Sequence, residues 1–385
     1  MIRICIWMNI PSHHQHFFFE ALNAREDTDL AVRYYDAALL KRRQTQGWVA
    51  PEMESYALSA DAETISDPEL RDHIHIIPTF DAHVGRRLVE LAVKHDLKWC
   101  HWGERYGAGL AQALRYNMPL FHLLNPILGF VELFPRIRAI RRHAMLVLTQ
   151  GKLAEEDMLG WGIEPQKIRH LTYSVPALSD GAHSPEIESF GRGRSIFLCV
   201  ASLCRRKGII ELLRAYAGLT AERRRKSCLV LQGGGDAGPY RRFCSEHCIE
   251  DDVFFFGACP SDRIAGIYGS CDCLVLPTLH DGWGVVLNEA ASVGMPIIST
   301  TECGAAWHLI EDGKNGFRVP ANNADALREA MERYIDDPGL IVRHGAASRK
   351  IFSDFTPETM AERLHGYLEE ALAANGQCRT NGRKI

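Results

Sequence analysis

The feature that most constrains this chain is an alternation of apolar runs and glycine-containing loops around residues 271–298. An apolar run from Cys271 to Pro277 predicts a buried strand, and a second run begins at Ile297. Between them lie Gly282 and Gly284, followed by a stretch that we expect to be a helix beginning near Trp283. Strand, loop, helix and strand form a βαβ unit, which predicts a doubly wound parallel sheet.

Two acidic residues flank this loop. Asp281 precedes the glycines, and Glu289 follows about two helical turns after Trp283. Loop glycines allow backbone N–H groups to come close to a ligand, and the start of a helix attracts phosphate or sugar oxygens. The pattern therefore predicts a binding site with both carboxylates facing one cleft. The alternative is an ordinary βαβ turn whose helix acid faces water.

Residues 281–296 read D-G-W-G-V-V-L-N-E-A-A-S-V-G-M-P. This order resembles E-G-F-G-x-x-x-x-E-A-x-x-x-G-x-P, the signature of retaining glycosyltransferases of family 4 (glycosyl transferases group 1), with Asp281 and Trp283 as substitutions. The resemblance implies the GT-B fold, an α/β architecture of two Rossmann-like, doubly wound domains facing a central cleft. It also implies transfer of a hexosyl group from a nucleotide-diphosphate sugar, with the linkage retained and with no metal or other cofactor.

The resemblance assigns roles to the residues of this loop. Glu289 is expected to hold the ribose hydroxyls of the nucleotide, since a carboxylate can accept from two neighbouring hydroxyl groups. Asp281 is expected to accept from hydroxyls of the transferred sugar, beside backbone groups of Gly282, Trp283 and Gly284. In the implied front-face displacement the leaving phosphate oxygen takes the acceptor proton.

The loop at residues 201–208 follows another predicted strand, and Lys207 with Gly208 matches the end of a G-R-L…K-G pattern in the same family. Ser202 stands where that family has an arginine. Arg205 or Arg206 can supply the missing charge, and spacing does not choose between them. Fixed cations here would stabilise a departing diphosphate, with Lys207 as a catalytic residue. The alternative is a solvated run of charge.

Glycines also follow the next predicted strand. Gly233 and Gly234 resemble the family's G-x-G loop near the nucleotide. A turn of purely structural use is the alternative, because glycine serves any turn that needs a positive φ.

The N-terminal half offers a second set of candidates at strand ends, where open α/β sheets bind ligands. Ser12 and His13 lie in the loop after the first predicted strand, before a helix expected to start near Phe17. By resemblance, His101 faces the transferred sugar, with Glu104 close behind; the alternative is that both are satisfied within the fold. We expect no metal site at the three nearby histidines, because they are crowded and no carboxylate adjoins them.

Length and composition predict how the chain is divided into domains. A chain of 385 residues predicts two domains. We expect an N-terminal, acceptor-binding Rossmann-like domain at 1–177, a linker at 178–194 that is rich in Ser, Gly and Pro, and a C-terminal nucleotide-sugar-binding domain at 195–355. The GT-B resemblance implies that 356–385 forms a helix crossing back to the first domain, with a tail.

Charge and hydropathy limit the partners and the location. A net charge of -4 gives no basic field for nucleic acid. The N-terminal run is too short for a signal sequence, so we expect a cytoplasmic protein. Residues 120–143 join an apolar stretch to a basic cluster, which predicts either peripheral contact with the inner face of a membrane or a core helix with a solvated face.

The resemblance predicts the acceptor by association. We expect a saccharide or a lipid-linked saccharide, in surface polysaccharide biosynthesis. Two alternatives stay open: a sugar phosphorylase or epimerase on the same fold, and a non-catalytic protein that binds a nucleotide sugar. Departures from the family pattern, such as Ser202, keep the last of these open.

Overall fold

The computed structural model describes residues 1–45, 51–79, 84–105, 134–179 and 181–381. Contacts divide these residues into two compact units. The N-terminal unit contains the described residues up to 175 together with residues 355–381, and the C-terminal unit contains the described residues between 176 and 354.

The N-terminal unit is built on a parallel sheet of seven strands in the order β3-β2-β1-β4-β5-β6-β7. The strands are β1 Ile2–Met8, β2 Thr28–Tyr34, β3 Ala57–Ser59, β4 Ile74–Ile77, β5 Trp99–Gly103, β6 Val147–Thr149 and β7 Ile168–His170. The helices that follow them are α1 His13–Asn23, α2 Ala37–Thr45, α3 Gly85–Lys94, α4 at residues 134–143 and α5 Lys152–Gly160. The strands are apolar on both faces because helices cover both sides of such a sheet.

The C-terminal unit has a parallel sheet of six strands in the order β10-β9-β8-β11-β12-β13. The strands are β8 Ser195–Val200, β9 Ser227–Gln232, β10 Val253–Gly257, β11 Cys273–Leu276, β12 Ile297–Thr300 and β13 Gly316–Val319. The helices are α6 Pro185–Gly191, α7 Ile209–Ala217, α8 Ala221–Lys226, α9 Gly238–Glu246, α10 Ile264–Gly269, α11 Val286–Ser292, α12 Ala306–Leu309, α13 Ala324–Asp336 and α14 Gly339–Phe352. Both units therefore have the doubly wound α/β architecture that the sequence predicts.

The last helix, α15 (Pro357–Asn381), belongs to the N-terminal unit, where it packs on α1 and β1. Its Leu364 and Leu368 are fully buried. Residues 382–385 of the predicted tail lie outside the described residues.

The predicted linker at 178–194 is wrong. This stretch contains α6 and belongs to the C-terminal unit, where Ile187 is fully buried. The Ser184 N–H donates to the Ser270 hydroxyl at 2.7 Å. A Cβ on Gly269 would lie only 2.0 Å from the carbonyl oxygen of Ala182. The small and polar residues that suggested a linker thus allow close packing.

Strand order predicts where a ligand crevice lies in the C-terminal unit. From β8 the sheet continues through β9 on one side and through β11 on the other. The loops after β8 and β11 therefore leave the sheet in opposite directions, and ligands bind where such loops part. We call them the β8 loop (residues 201–208) and the β11 loop (residues 277–285).

A glycine fixes these two loops to each other. Gly208 ends the β8 loop with φ +69°, and a Cβ there would lie 2.0 Å from the carbonyl oxygen of Pro277. The Leu279 N–H donates to the carbonyl oxygen of Arg206 at 2.8 Å, and the Thr278 hydroxyl donates to the same oxygen at 3.1 Å. Backbone contacts thus hold the start of the β11 loop against Arg206.

We predict that Gly208→Ala destabilises the protein by roughly 3 kcal/mol or more, because the new Cβ collides with a backbone oxygen. Gly313→Ala is the matched control, since Gly313 has φ +72° but no atom within 4 Å of its Cβ position. That control should lose only about 1 kcal/mol from backbone strain. Urea unfolding of both variants measures the difference, and equal losses would contradict the close approach to Pro277.

Candidate functional site

A cluster of two cations and one carboxylate lies between the β8 loop and the β11 loop. Lys207 Nζ is 2.5 Å from one carboxylate oxygen of Asp281, and a guanidinium nitrogen of Arg206 is 3.6 Å from the other. The same Arg206 nitrogen donates to the carbonyl oxygen of His280 at 2.9 Å. Side-chain exposure is 15% for Lys207 and 13% for Asp281 but 41% for Arg206. The cluster thus combines a shielded ion pair with an accessible guanidinium.

The cluster of Arg206, Lys207 and Asp281 carries a surplus positive charge. Among the described residues, Asp281 is the acid that pairs with Arg206 and Lys207, so one positive charge is left over. Fixed cations at a strand end attract anions and stabilise charge that develops on a leaving phosphate. The arrangement is therefore suited to a diphosphate.

Arg205 points elsewhere. Its guanidinium donates to a carboxylate oxygen of Glu211 at 2.6 Å, and the Glu211 side chain on α7 is almost completely buried. A buried carboxylate needs a partner, so this pair neutralises both charges locally. Of the two arginines left open by the sequence, the structure places Arg206 beside Lys207 and Asp281.

The β9 end brings Ser202, Gly233 and Gly234 together. Ser202 is exposed, and the next residue, Leu203, donates its N–H to the Gly234 carbonyl oxygen at 2.8 Å. Gly233 has φ +143°, and a Cβ there would lie 2.0 Å from the carbonyl oxygen of Ala201. These glycines therefore bring the loop after β9 against the β8 loop, which is a structural use compatible with the predicted nucleotide contact.

The expected helix start near Trp283 is wrong, since α11 begins at Val286. Gly284 has φ +97°, which is not helical and separates Trp283 from the helix. The Trp283 side chain is buried, and its indole N–H donates to the Asn288 side-chain oxygen at 2.8 Å. Trp283 thus anchors the loop from inside. The Gly282 carbonyl oxygen lies against Gly304.

A third loop, after β12, supports Asp281, and the sequence interpretation missed its role. The Asp281 N–H donates to the Glu302 carbonyl oxygen at 3.0 Å, and the Asp281 carbonyl oxygen accepts from the Gly304 N–H at 3.2 Å. The Ala305 N–H donates to the Trp283 carbonyl oxygen at 2.8 Å. The glycine of this E-C-G segment was the available signal, since a glycine permits the close approach.

Glu289 has a partner that the sequence did not reveal. It lies on the first turn of α11, and its carboxylate accepts a hydrogen bond from the hydroxyl of Tyr268 on α10 at 2.7 Å. Burial raises the pKa of Glu289 to about 7, and the Tyr268 hydrogen bond partly offsets the rise by favouring the charged form. Glu289 therefore titrates near neutral pH, which is unusual for a carboxylate.

In the N-terminal unit, His101 and Glu104 have separate environments. His101 on β5 is fully buried, and its Nδ1 is 2.7 Å from the Thr79 hydroxyl. Burial lowers the pKa of His101 to about 3, so the imidazole is neutral at physiological pH. Glu104 is exposed and accepts from the Tyr173 hydroxyl at 2.7 Å. Contact of either residue with a sugar stays a prediction.

Helix α1 begins earlier than the sequence predicted. It starts at His13 and not near Phe17, because Ser12 has an extended backbone and its carbonyl oxygen accepts the first helical N–H bonds. Ser12 is partly buried and His13 is exposed. Both remain at the end of β1, and their contact with an acceptor stays a prediction.

The expectation that no carboxylate adjoins the N-terminal histidines is wrong. His16 lies 3.4 Å from Glu20, one helical turn away, and Glu54 lies close to both. Among the described residues, this is the group whose atoms could reach a single metal ion. Both glutamates are exposed, and clusters of this kind are common on protein surfaces without an ion.

The segment at 120–143 is described only from residue 134 onward, and residues 120–133 lie outside the described part of the chain. In α4, Arg136 points inward, where it donates to the Thr79 carbonyl oxygen at 3.1 Å. Phe134 is 59% exposed. A cavity of about 570 Å³ beside this helix is lined by Phe134, Ile137, Arg138, Arg141, Arg142, Gly160, Trp161 and Glu164.

We predict that Glu289 makes stability fall as pH rises. A carboxylate whose pKa is about 7 in the folded state and 4.5 ordinarily keeps its proton longer when folded. The stabilisation of the folded state by protonated Glu289 is therefore fully present below pH 4.5. It is lost as pH rises toward 7, which lowers the free energy of unfolding by roughly 3 kcal/mol at most. Glu289→Gln should lack this loss in urea unfolding across that range. Glu329→Gln, an exposed acid, is the control, and parallel curves for all three proteins would contradict the prediction.

Comparison with known proteins finds a family match in the C-terminal half of the chain. Residues 183–351 match the family model described as glycosyl transferases group 1. The chain is 32% identical over 174 residues to the D-inositol 3-phosphate glycosyltransferase of Streptomyces bingchenggensis, covering 40% of this chain and 38% of that protein. It is 29% identical over 176 residues to the GDP-mannose-dependent alpha-(1-6)-phosphatidylinositol monomannoside mannosyltransferase of Mycolicibacterium smegmatis, covering 42% and 44%. Such matches span about half or less of the relatives' own length.

Similarity to a solved structure extends over nearly the whole chain. The crystal structure of Anabaena HepE in complex with UDP-glucose aligns with a TM-score of 0.67 and 16% identity, covering 96% of this chain and 100% of that one. At this identity the likeness defines the fold. The chain thus has the GT-B fold, and its residues 183–351 are similar to the glycosyl transferases group 1 family.

Proposed function

We propose that this chain is a retaining glycosyltransferase that moves a hexosyl group from a nucleotide-diphosphate sugar to a saccharide or lipid-linked saccharide acceptor. The observation that carries the proposal is the cluster of Arg206, Lys207 and Asp281 at the switch point of the C-terminal sheet. Its surplus positive charge suits a diphosphate, and the matched family and the UDP-glucose complex of HepE support a nucleotide-sugar donor.

Each site residue has a role in this proposal. Lys207 and Arg206 bind the diphosphate, and Asp281 orients Lys207 and accepts from hydroxyls of the transferred sugar. Lysine has three N–H donors, so Lys207 can hold Asp281 and a phosphate oxygen together. Glu289 accepts from the ribose hydroxyls. Ser202, Gly233 and Gly234 form the loop edge beside the nucleotide.

The proposed reaction needs no protein nucleophile. The bond between the sugar C1 and the diphosphate oxygen breaks, and a new bond from C1 to the acceptor oxygen forms on the same face. The leaving phosphate oxygen takes the acceptor proton. Lys207 and Arg206 stabilise the charge that grows on the diphosphate, which is the role that a metal has in other transferases.

We predict that Lys207→Ala lowers kcat/KM for transfer by about 100-fold, because it removes a fixed cation from the leaving group. Donors for the assay are selected by a thermal-shift screen of nucleoside diphosphates and their sugars. Lys314→Ala is the control, since Lys314 is an exposed lysine paired with Glu311. NMR of the product should show the donor's anomeric configuration, and EDTA should leave the rate unchanged.

The outcomes separate the alternatives. An inverted product or loss of activity in EDTA would contradict the proposed mechanism. Turnover that requires free phosphate would favour a phosphorylase, and donor binding without transfer or hydrolysis would favour a non-catalytic binding protein. Glu289→Ala should abolish turnover in the transferase.

We further propose that α4 contacts the cytoplasmic face of a membrane that carries a lipid-linked acceptor. Arg138, Arg141 and Arg142 are exposed beside Phe134, and basic and aromatic side chains together favour an anionic lipid surface. Among the described residues no helix is long and apolar enough to cross a bilayer.

We predict that replacing Arg138, Arg141 and Arg142 with Glu weakens binding to vesicles containing phosphatidylserine by about 100-fold, since each basic residue contributes about 1 kcal/mol. The charge-matched control replaces three exposed cations of the C-terminal unit, Arg225, Lys226 and Arg242. Vesicle sedimentation measures both. Equal binding by the two triple variants would contradict contact through α4.

A further inference from the structure

Tyr268 is a buried residue that none of the motifs discussed above includes, and its hydroxyl is aimed at Glu289. The side chain is 1% exposed, and the hydroxyl lies 2.7 Å from a Glu289 carboxylate oxygen and 3.4 Å from the Val286 carbonyl oxygen. A tyrosine hydroxyl has a single proton to donate. The shorter distance and the negative charge of the carboxylate assign that proton to Glu289.

The hydrogen bond occupies only one side of the carboxylate. Tyr268 bonds to Oε2, and within the described part of the chain no hydrogen bond to Oε1 accompanies it. A carboxylate held at one oxygen by a rigid buried ring has its other oxygen in a defined direction. Such an oxygen can accept from a hydroxyl group without first losing rotational freedom.

We propose that Tyr268 is a positioning residue for nucleotide binding, holding the Glu289 carboxylate charged and oriented toward the ribose hydroxyls of the donor. This inference rests on the proposed function, in which Glu289 contacts the ribose. Tyr268 itself does not touch the donor; it acts through Glu289.

The Tyr268 hydroxyl affects the protonation state of Glu289, because the carboxylate is buried. Burial favours the protonated form of Glu289, and the Tyr268 hydrogen bond opposes this effect. The other titratable groups that act on the Tyr268 hydroxyl are the thiols of Cys199 and Cys271. Burial raises the pKa of both thiols, so they are neutral near pH 7. Removing the hydroxyl should therefore shift the ionisation of Glu289 to higher pH.

The test is Tyr268→Phe, which keeps the ring and removes the hydroxyl. Binding of UDP, GDP and ADP is measured by calorimetry from pH 6 to pH 9. We expect the preferred diphosphate to bind about tenfold more weakly near pH 7, since a hydrogen bond to a charged group is lost. We also expect the affinity to recover toward pH 9, because Glu289 then ionises without help.

Tyr216→Phe is the matched control. Tyr216 is also fully buried in the C-terminal unit, but its hydroxyl donates to the Ser227 carbonyl oxygen at 3.0 Å and to no carboxylate. Affinity and pH dependence should be unchanged in this variant. The dideoxyribose form of the same diphosphate is a second control, because without ribose hydroxyls the penalty of Tyr268→Phe should disappear.

The outcomes distinguish this inference from the proposed function. If the native protein binds none of the three diphosphates, the proposed function and this inference both fail. If it binds one of them and Tyr268→Phe has the native affinity and pH dependence, this inference alone is overturned. Should Tyr268→Phe not fold, Glu289→Asp withdraws the carboxylate from the hydroxyl and should show the same shift to higher pH; a native pH dependence in that variant would overturn the inference.

Discussion

The ion pair between Lys207 and Asp281 is the interaction on which the site depends. Its two residues are far apart in the sequence, and they meet because β8 and β11 are neighbours at the switch point of one sheet. Both side chains are largely shielded from water, where an unpaired charge is costly. Gly208 permits the close approach of the two loops, so backbone packing and charge pairing fix the same geometry.

The two arginines next to this ion pair have different partners. Arg205 is neutralised by buried Glu211, whereas Arg206 reaches solvent beside the pair and leaves one positive charge available. In the proposed reaction, cations that are already in place would bind the diphosphate, so little reorganisation would be needed when charge develops on the leaving group. Glu289, held by Tyr268, extends the site along the start of α11.

Local sequence patterns predicted the long strands and the β11 loop. Apolar runs located the long strands, and the motif at 281–296 located the β11 loop, because both signals are local. The short strand β3 and the helix α14 were not predicted, since three residues give no periodicity and the buried positions of α14 include the polar or small residues His344, Gly345 and Ser348. The linker at 178–194 was misassigned because small polar residues suit close packing as well as flexibility.

Side-chain partners were the least predictable part of the site. Glu211 lies six residues after Arg205, and Tyr268 lies in α10, the helix before β11. No sequence pattern predicts the hydrogen bond from Arg205 to Glu211 or the one from Tyr268 to Glu289. Such pairs depend on how strands and helices pack, and packing joins residues that are distant along the chain. Ser202 shows the limit of motif matching, since only the structure shows that the guanidinium of Arg206, four residues later, lies beside Asp281.

The most direct test of this account is a crystal structure of the native protein with a bound nucleoside diphosphate. The account predicts phosphate oxygens within hydrogen-bond distance of Lys207 Nζ and the Arg206 guanidinium, with the ribose hydroxyls at Glu289. A diphosphate bound away from the switch point between β8 and β11, with Lys207 and Arg206 making no contact with it, would contradict the central claim.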